Sequence, residues 1–219
     1  FIDMIKPDLL LIQLCSNDFI NNSLWLENLS VINNQRLRRP YLSEKGGLFY
    51  ATPGFMPELR SWLGSHSRFF AFLFHRWDLA VANFRGYKSV EEEIRKSNGA
   101  HEKYRAAKIV TALIFKKIKA RAGDVPVIVF VADGLEPFYG DFRKISENEG
   151  FVFLKGIAAA VSEAHRKGEA VFVQDEGHWS PRGHEIAGLV LLDALKGHLP
   201  IFSPKKGRHD ITYHKDGGA

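Results

Sequence analysis

Lys6-Pro7-Asp8-Leu9-Leu10-Leu11-Ile12-Gln13-Leu14-Cys15-Ser16-Asn17-Asp18 holds a short, nearly continuous apolar run between a proline and a cluster of turn-forming residues. That length, with no polar alternation, is the pattern of a strand buried on both faces, as in a parallel sheet. The pattern recurs downstream. Val125-Pro126-Val127-Ile128-Val129-Phe130-Val131 ends at Ala132-Asp133-Gly134, and Phe151-Val152-Phe153-Leu154 follows Gly150. Ala170-Val171-Phe172-Val173 leads straight into Asp175.

Helical periodicity fills the intervals. Leu59, Leu63, Phe70, Leu73, Phe74 and Trp77 mark one stripe over residues 59–79. Core packing is the plain reading of that stripe, and a lipid-facing lid the sharper one. Residues 90–122 predict one or two helices, interrupted near Asn98-Gly99 and stopped at Gly123. Ala107, Val110, Ile114, Ile118 and Arg121 form the repeating face. A short helix is expected from Ile157 to His165. Another follows Ser180, a good cap, and Pro181, which suits a first turn; it carries Ile186, Leu189, Val190, Leu192 and Leu195. Residues 19–58 are turn-rich and read as a long surface excursion with little regular structure. The order strand, long loop, helices, strand, helix, strand, helix implies an α/β fold, a parallel sheet flanked by helices. One domain is expected over residues 1–202, with a flexible tail at 203–219.

Composition narrows the function classes. Formal net charge is +5, and much of the excess sits in Arg36-Leu37-Arg38-Arg39 and Lys205-Lys206-Gly207-Arg208. These runs read as solvated loop and tail charge. No motif interleaves them with aromatics, so no nucleic-acid partner is expected. The single cysteine, Cys15, excludes a disulfide within these residues and reads as a small core side chain. No stretch reaches the length of a membrane span. The chain opens at Phe1, so compartment is left open.

Two segments carry candidate chemistry. In Asp175-Glu176-Gly177-His178-Trp179-Ser180-Pro181-Arg182-Gly183-His184, the histidine can accept a proton from a hydroxyl nucleophile. An aspartate three residues earlier on a tight turn can hold its tautomer. By itself D-x-x-H is also what a capped surface turn looks like. A metal site built from Asp175, His178 and His184 is the weaker reading, because that histidine spacing suits no common helical ligand pair. His184 is expected to pack on its helix or to border a substrate. His66, His75 and His101 read as surface residues. At the end of the first strand, the Asn17 amide could donate to a developing oxyanion, although Asn-Asp also simply ends strands.

Together and in this order, the two segments resemble the SGNH (GDSL) hydrolase family. Lys6 to Asp18 is similar to the family's third block, G-x-N-D, with Cys15 where the glycine would stand. Asp175 to His184 is similar to its fifth block, D-x-x-H followed by Gly-His. The resemblance implies a three-layer, flavodoxin-like α/β/α fold. It also implies Asp175 as triad acid, His178 as base, Asn17 as oxyanion donor and Asp18 as a structural residue. The family's nucleophile block, G-D-S, precedes the third block and has no counterpart after Phe1. Ser65 follows the third block and lies in a predicted helix, so it is no substitute. The expectation is therefore a chain whose first βα unit, about 30 residues or more, is missing, and which is inactive by itself.

The expected activity is ester hydrolysis by an esterase, lipase or carbohydrate O-acetylesterase, with no cofactor and with a small-molecule or carbohydrate ester as partner. Acyl transfer to a sugar acceptor would use the same triad. A non-catalytic relative, binding carbohydrate or a partner protein through residues 19–58, is the alternative from another class.

Overall fold

The structure is a computed structural model. It describes residues 2–30, 38–54, 56–84, 89–173 and 178–198, without the side chains of residues 2, 3, 82, 83, 197 and 198. The chain forms two compact units, Phe1–Ala158 and Ala159–Ala219. The tail expected at 203–219 lies outside the described residues.

In the first unit a short α1 (Ile2–Ile5) precedes β1 (Leu10–Leu14), α2 (Asp18–Asn21) and α3 (Leu24–Leu29). Then come β2 (Arg39–Leu42), β3 (Leu48–Ala51), α4 (Pro57–His66), α5 (Arg68–Phe84), α6 (Val90–Lys96) and α7 (Glu102–Ala122). β4 (Val127–Val131), α8 (Phe138–Asn148) and β5 (Val152–Phe153) follow. β1, β4 and β5 make a parallel sheet in that order, with Leu10 opposite Val127 and Leu14 opposite Val131.

β4 occupies the centre, and all five of its residues are buried. β1 departs from the expectation of two buried faces. Leu10, Ile12 and Leu14 face the core, while Leu11, 44% exposed, and Gln13 share the exposed face. β1 is also an edge strand among the described residues.

One core serves the sheet and helices. Phe19 stacks on Phe142 at 3.9 Å between ring centroids and meets Tyr104 edge-on at 5.2 Å. The Tyr104 hydroxyl is satisfied by donating to Asp141 Oδ2 at 2.8 Å. α7 presents Tyr104, Ala107, Val110, Thr111 and Phe115 to this core. It stops at Gly123, whose φ of 58° costs glycine little. The expected interruption before α7 is also present, at Asn98 and Gly99, both with positive φ.

The expectation of an irregular excursion over residues 19–58 is overturned. The Ser23 hydroxyl accepts from Leu26 N and caps α3, while Phe19, Ile20 and Leu26 are fully buried. β2 and β3 form an antiparallel hairpin. Its turn closes through Ser43 N to Gly47 O at 2.9 Å, with Gly46 at a φ of 81°. A buried polar cluster ties the hairpin to α3. Glu27, with no exposed surface, accepts from the Tyr41 hydroxyl at 2.5 Å and forms an ion pair with Arg39. Turn residues set off these short elements, but tertiary burial forms them.

The helix expected over 59–79 is two helices, broken where Ser67 is extended. The core reading of their stripe is also overturned. α4 buries no side chain, and Leu59, Leu73 and Trp77 are exposed. The two helices pack mainly on each other.

In the second unit α9 (Ile157–Arg166) lies within one residue of its expected span. α10 (Pro181–His198) begins at the expected cap. The expected strand at 170–173 is only a single antiparallel bridge, Phe172 to Trp179. Its backbone groups are taken locally: Val173 N donates to His178 O, and Ser180 N to Val171 O, both at 2.8 Å.

Candidate functional site

Parallel pairing brings the ends of β1 and β4 together. Ser16 and Asp133 each lie two residues beyond a paired position, Leu14 and Val131, and Ser16 N donates to Asp133 Oδ2 at 2.8 Å. Asp18 Oδ2 accepts from Cys15 N at 2.7 Å, which fixes the turn from β1 into α2. Asn17 sits on that turn, half-buried. The crevice beyond the carboxyl ends of parallel strands is where open α/β sheets bind ligands.

Burial first, then the Asp18 carboxylate, push the Cys15 thiol up to about 12. At neutral pH it is protonated and acts as a donor, and it lies on Asn17 Oδ1. The thiol has one proton and two acceptors within reach, Asn17 Oδ1 and Asp18 Oδ2. Burial also raises the Asp18 carboxyl above its ordinary range, opposed by its bonds from Cys15 and reinforced by Asp133. Cys15 is in this way a polar contact as well as a packing residue. Asp133 is absent from the sequence reading as a site residue. The signal that finds it is register, because equal offsets beyond paired parallel strands meet.

In the second unit, His178 is exposed. Its carbonyl accepts from Val173 N, so the two ends of the connection 174–177 are held together. Asp175 lies outside the described residues. The segment after His178 is rigidly built. Ser180 Oγ donates to Ala170 O at 2.6 Å and accepts from Gly183 N at 3.3 Å, capping α10. A Cβ on Gly183 would stand 2.3 Å from the Val171 carbonyl oxygen, so the first turn of α10 lies directly on that backbone. Trp179, just ahead of α10, meets the exposed His184 edge-on at 5.5 Å. Arg182 bridges Glu169 and Glu185, both at 2.7 Å.

The structure therefore groups Cys15, Asn17, Asp18 and Asp133 in one unit and builds the frame of His178 in the other. Ser65 is exposed in α4 and donates to the Trp62 carbonyl at 2.9 Å. The adjacent His66 ring nitrogen Nδ1 lies 2.8 Å from the same carbonyl and 3.1 Å from Ser65 Oγ. Of the other histidines, His66 and His75 are exposed as expected, whereas His101 is half-buried ahead of α7. Among the described residues no group of three or more His, Cys, Asp or Glu is placed to hold a metal ion. No protein family, curated protein or solved structure matches the chain.

Proposed function

We propose that the chain carries the base, acid and oxyanion donor of an ester hydrolase of the SGNH type, with the attacking serine supplied from outside these 219 residues. The observation that carries the reading is the Asn17 amide, placed at the carboxyl end of a parallel strand with Oδ1 on the Cys15 thiol. An asparagine amide at a strand's carboxyl end can donate to a carbonyl oxygen as negative charge develops on it. His178, on the turn into a capped helix, takes the serine proton and returns it to the leaving alcohol. Asp175 holds the His178 tautomer and stabilises the imidazolium. The acyl-enzyme is then released to water.

The test is hydrolysis of p-nitrophenyl acetate by the natively encoded protein, together with fluorophosphonate labelling. The expected result is one labelled serine outside these residues. His178→Ala should abolish activity, and Asn17→Ala should lower kcat by about a hundredfold or more. Full activity in His178→Ala, or no labelling at all, overturns the proposal. Product analysis with a sugar acceptor separates hydrolysis from acyl transfer.

A second reading, a carbohydrate-binding relative without catalysis, draws on the exposed Phe49 and Tyr50 of the β2–β3 hairpin. Such rings offer flat apolar faces, and Tyr50 adds a polar tip. It predicts sugar binding that Tyr50→Ala removes, and no serine labelling.

A further inference from the structure

We infer that the α4–α5 hairpin is an interfacial anchor that lies on anionic lipid surfaces. This goes beyond the ester-hydrolase reading and does not depend on it.

Rows of residues four apart divide the surface of α5. One row, Phe70, Phe74 and Asp78, turns toward α4. There Arg60 donates to both oxygens of Asp78 at 3.0 Å and lies 4.7 Å from the Phe74 ring centroid. The next row, Phe69, Leu73 and Trp77, is open to solvent; Phe69 is 66% and Trp77 65% exposed. Beside it runs Arg68, Phe72 and Arg76, all three exposed. Phe84 continues the apolar surface, and α4 adds Leu59 and Trp62.

An aromatic row bordered by arginines matches a bilayer interface. Phe, Leu and Trp enter the boundary between headgroups and acyl chains, and the cations reach lipid phosphates. Tryptophan is favoured at that depth. The charge is complementary to anionic lipid. The acidic residue of α5, Asp78, is engaged by Arg60, and Glu58 stands apart in the first turn of α4. A mating seam for a second copy would be a single stripe, whereas here exposed apolar residues occur on both helices. Among the described residues no helix is long and apolar enough to cross a membrane, so the hairpin lies on the surface instead of spanning it.

The experiment is co-sedimentation of the full natively encoded protein with vesicles. One set is phosphatidylcholine alone, the other phosphatidylcholine mixed with phosphatidylglycerol. Binding is expected to the mixed vesicles and to weaken with salt. Combining Arg68→Gln with Arg76→Gln should lower partitioning roughly thirtyfold. Combining Phe69→Ser with Trp77→Ser should lower it to background. None of the four side chains is buried, so the unfolding midpoints should match wild type, and circular dichroism checks this. No binding to mixed vesicles overturns the inference, as does binding that both variants retain. A dimer in the absence of lipid, removed by Phe69→Ser with Trp77→Ser, overturns it in favour of a second copy.

Discussion

At the scale of single residues, two positions decide whether the candidate site is built as described. The first is Cys15. Burial holds its thiol up to about 12, so at pH 8 almost none is thiolate. Thiolate is the reactive form, and alkylation should run roughly a thousandfold slower than for a free cysteine at that pH. A labelling rate like that of glutathione would mean the thiol is ionised and cannot donate to Asn17 or Asp18. The second is Gly183. An alanine there must displace the Val171 backbone carbonyl, which should cost about 2 kcal/mol. Gly188, exposed in the same helix with nothing within 4 Å of an added methyl group, provides the control. Gly188→Ala should stabilise by about 0.5–1 kcal/mol. Equal urea midpoints for the two variants would contradict the packing of α10 on Val171. At this scale the Ser180-Pro181 cap was legible, because helix starts have local chemistry. The Cys15 contact and Asp133 were not, because both follow from side chains meeting in space.

At the scale of elements, strongly patterned segments read correctly, β4, α7, α9 and α10, and β1 was legible as a strand though not its exposed face. The short elements between β1 and α4 were not legible. α2, α3 and the β2–β3 hairpin lie in turn-rich sequence, and their stability comes from what they bury together, above all Glu27 with Arg39 and Tyr41. Ser67 divides the two helices after the run Gly64-Ser65-His66, a local interruption between Leu63 and Phe69 that the expected single helix passed over. The hairpin anchor has a pH signature. Burial and the bond to Glu27 push the Tyr41 hydroxyl from its ordinary 10 up to about 12. The folded state thus holds this proton more tightly than the unfolded state. The contribution is whole below about pH 10 and is lost as pH rises toward 12. Tyr41→Phe should be less stable than wild type at neutral pH, and the gap should narrow between pH 10 and 12. A gap independent of pH in urea unfolding would show that the hydroxyl does not donate to Glu27.

At the scale of the molecule, the α/β class was legible because buried strands and amphipathic helices alternate along the chain. Which strand lies at an edge was not, since an apolar run looks the same whether one or both of its sides find partners. β1 shows the consequence. It pairs with β4 on one side, and among the described residues no strand pairs its other side. Leu11, nearly half exposed, stands on the same strand. An apolar edge with unpaired backbone groups is a template for another strand. The 219-residue chain produced by itself should therefore self-associate through β1. Leu11→Lys places a charge on that edge, which natural edge strands use to block pairing, and leaves the core face of Leu10, Ile12 and Leu14 untouched. Sedimentation velocity on the two chains is the measurement. A monomeric variant beside an associating parent locates the open edge at β1. A parent that is monomeric at high concentration would mean the edge is already covered, and association that persists in Leu11→Lys would assign it to another surface, such as the aromatic row of α5.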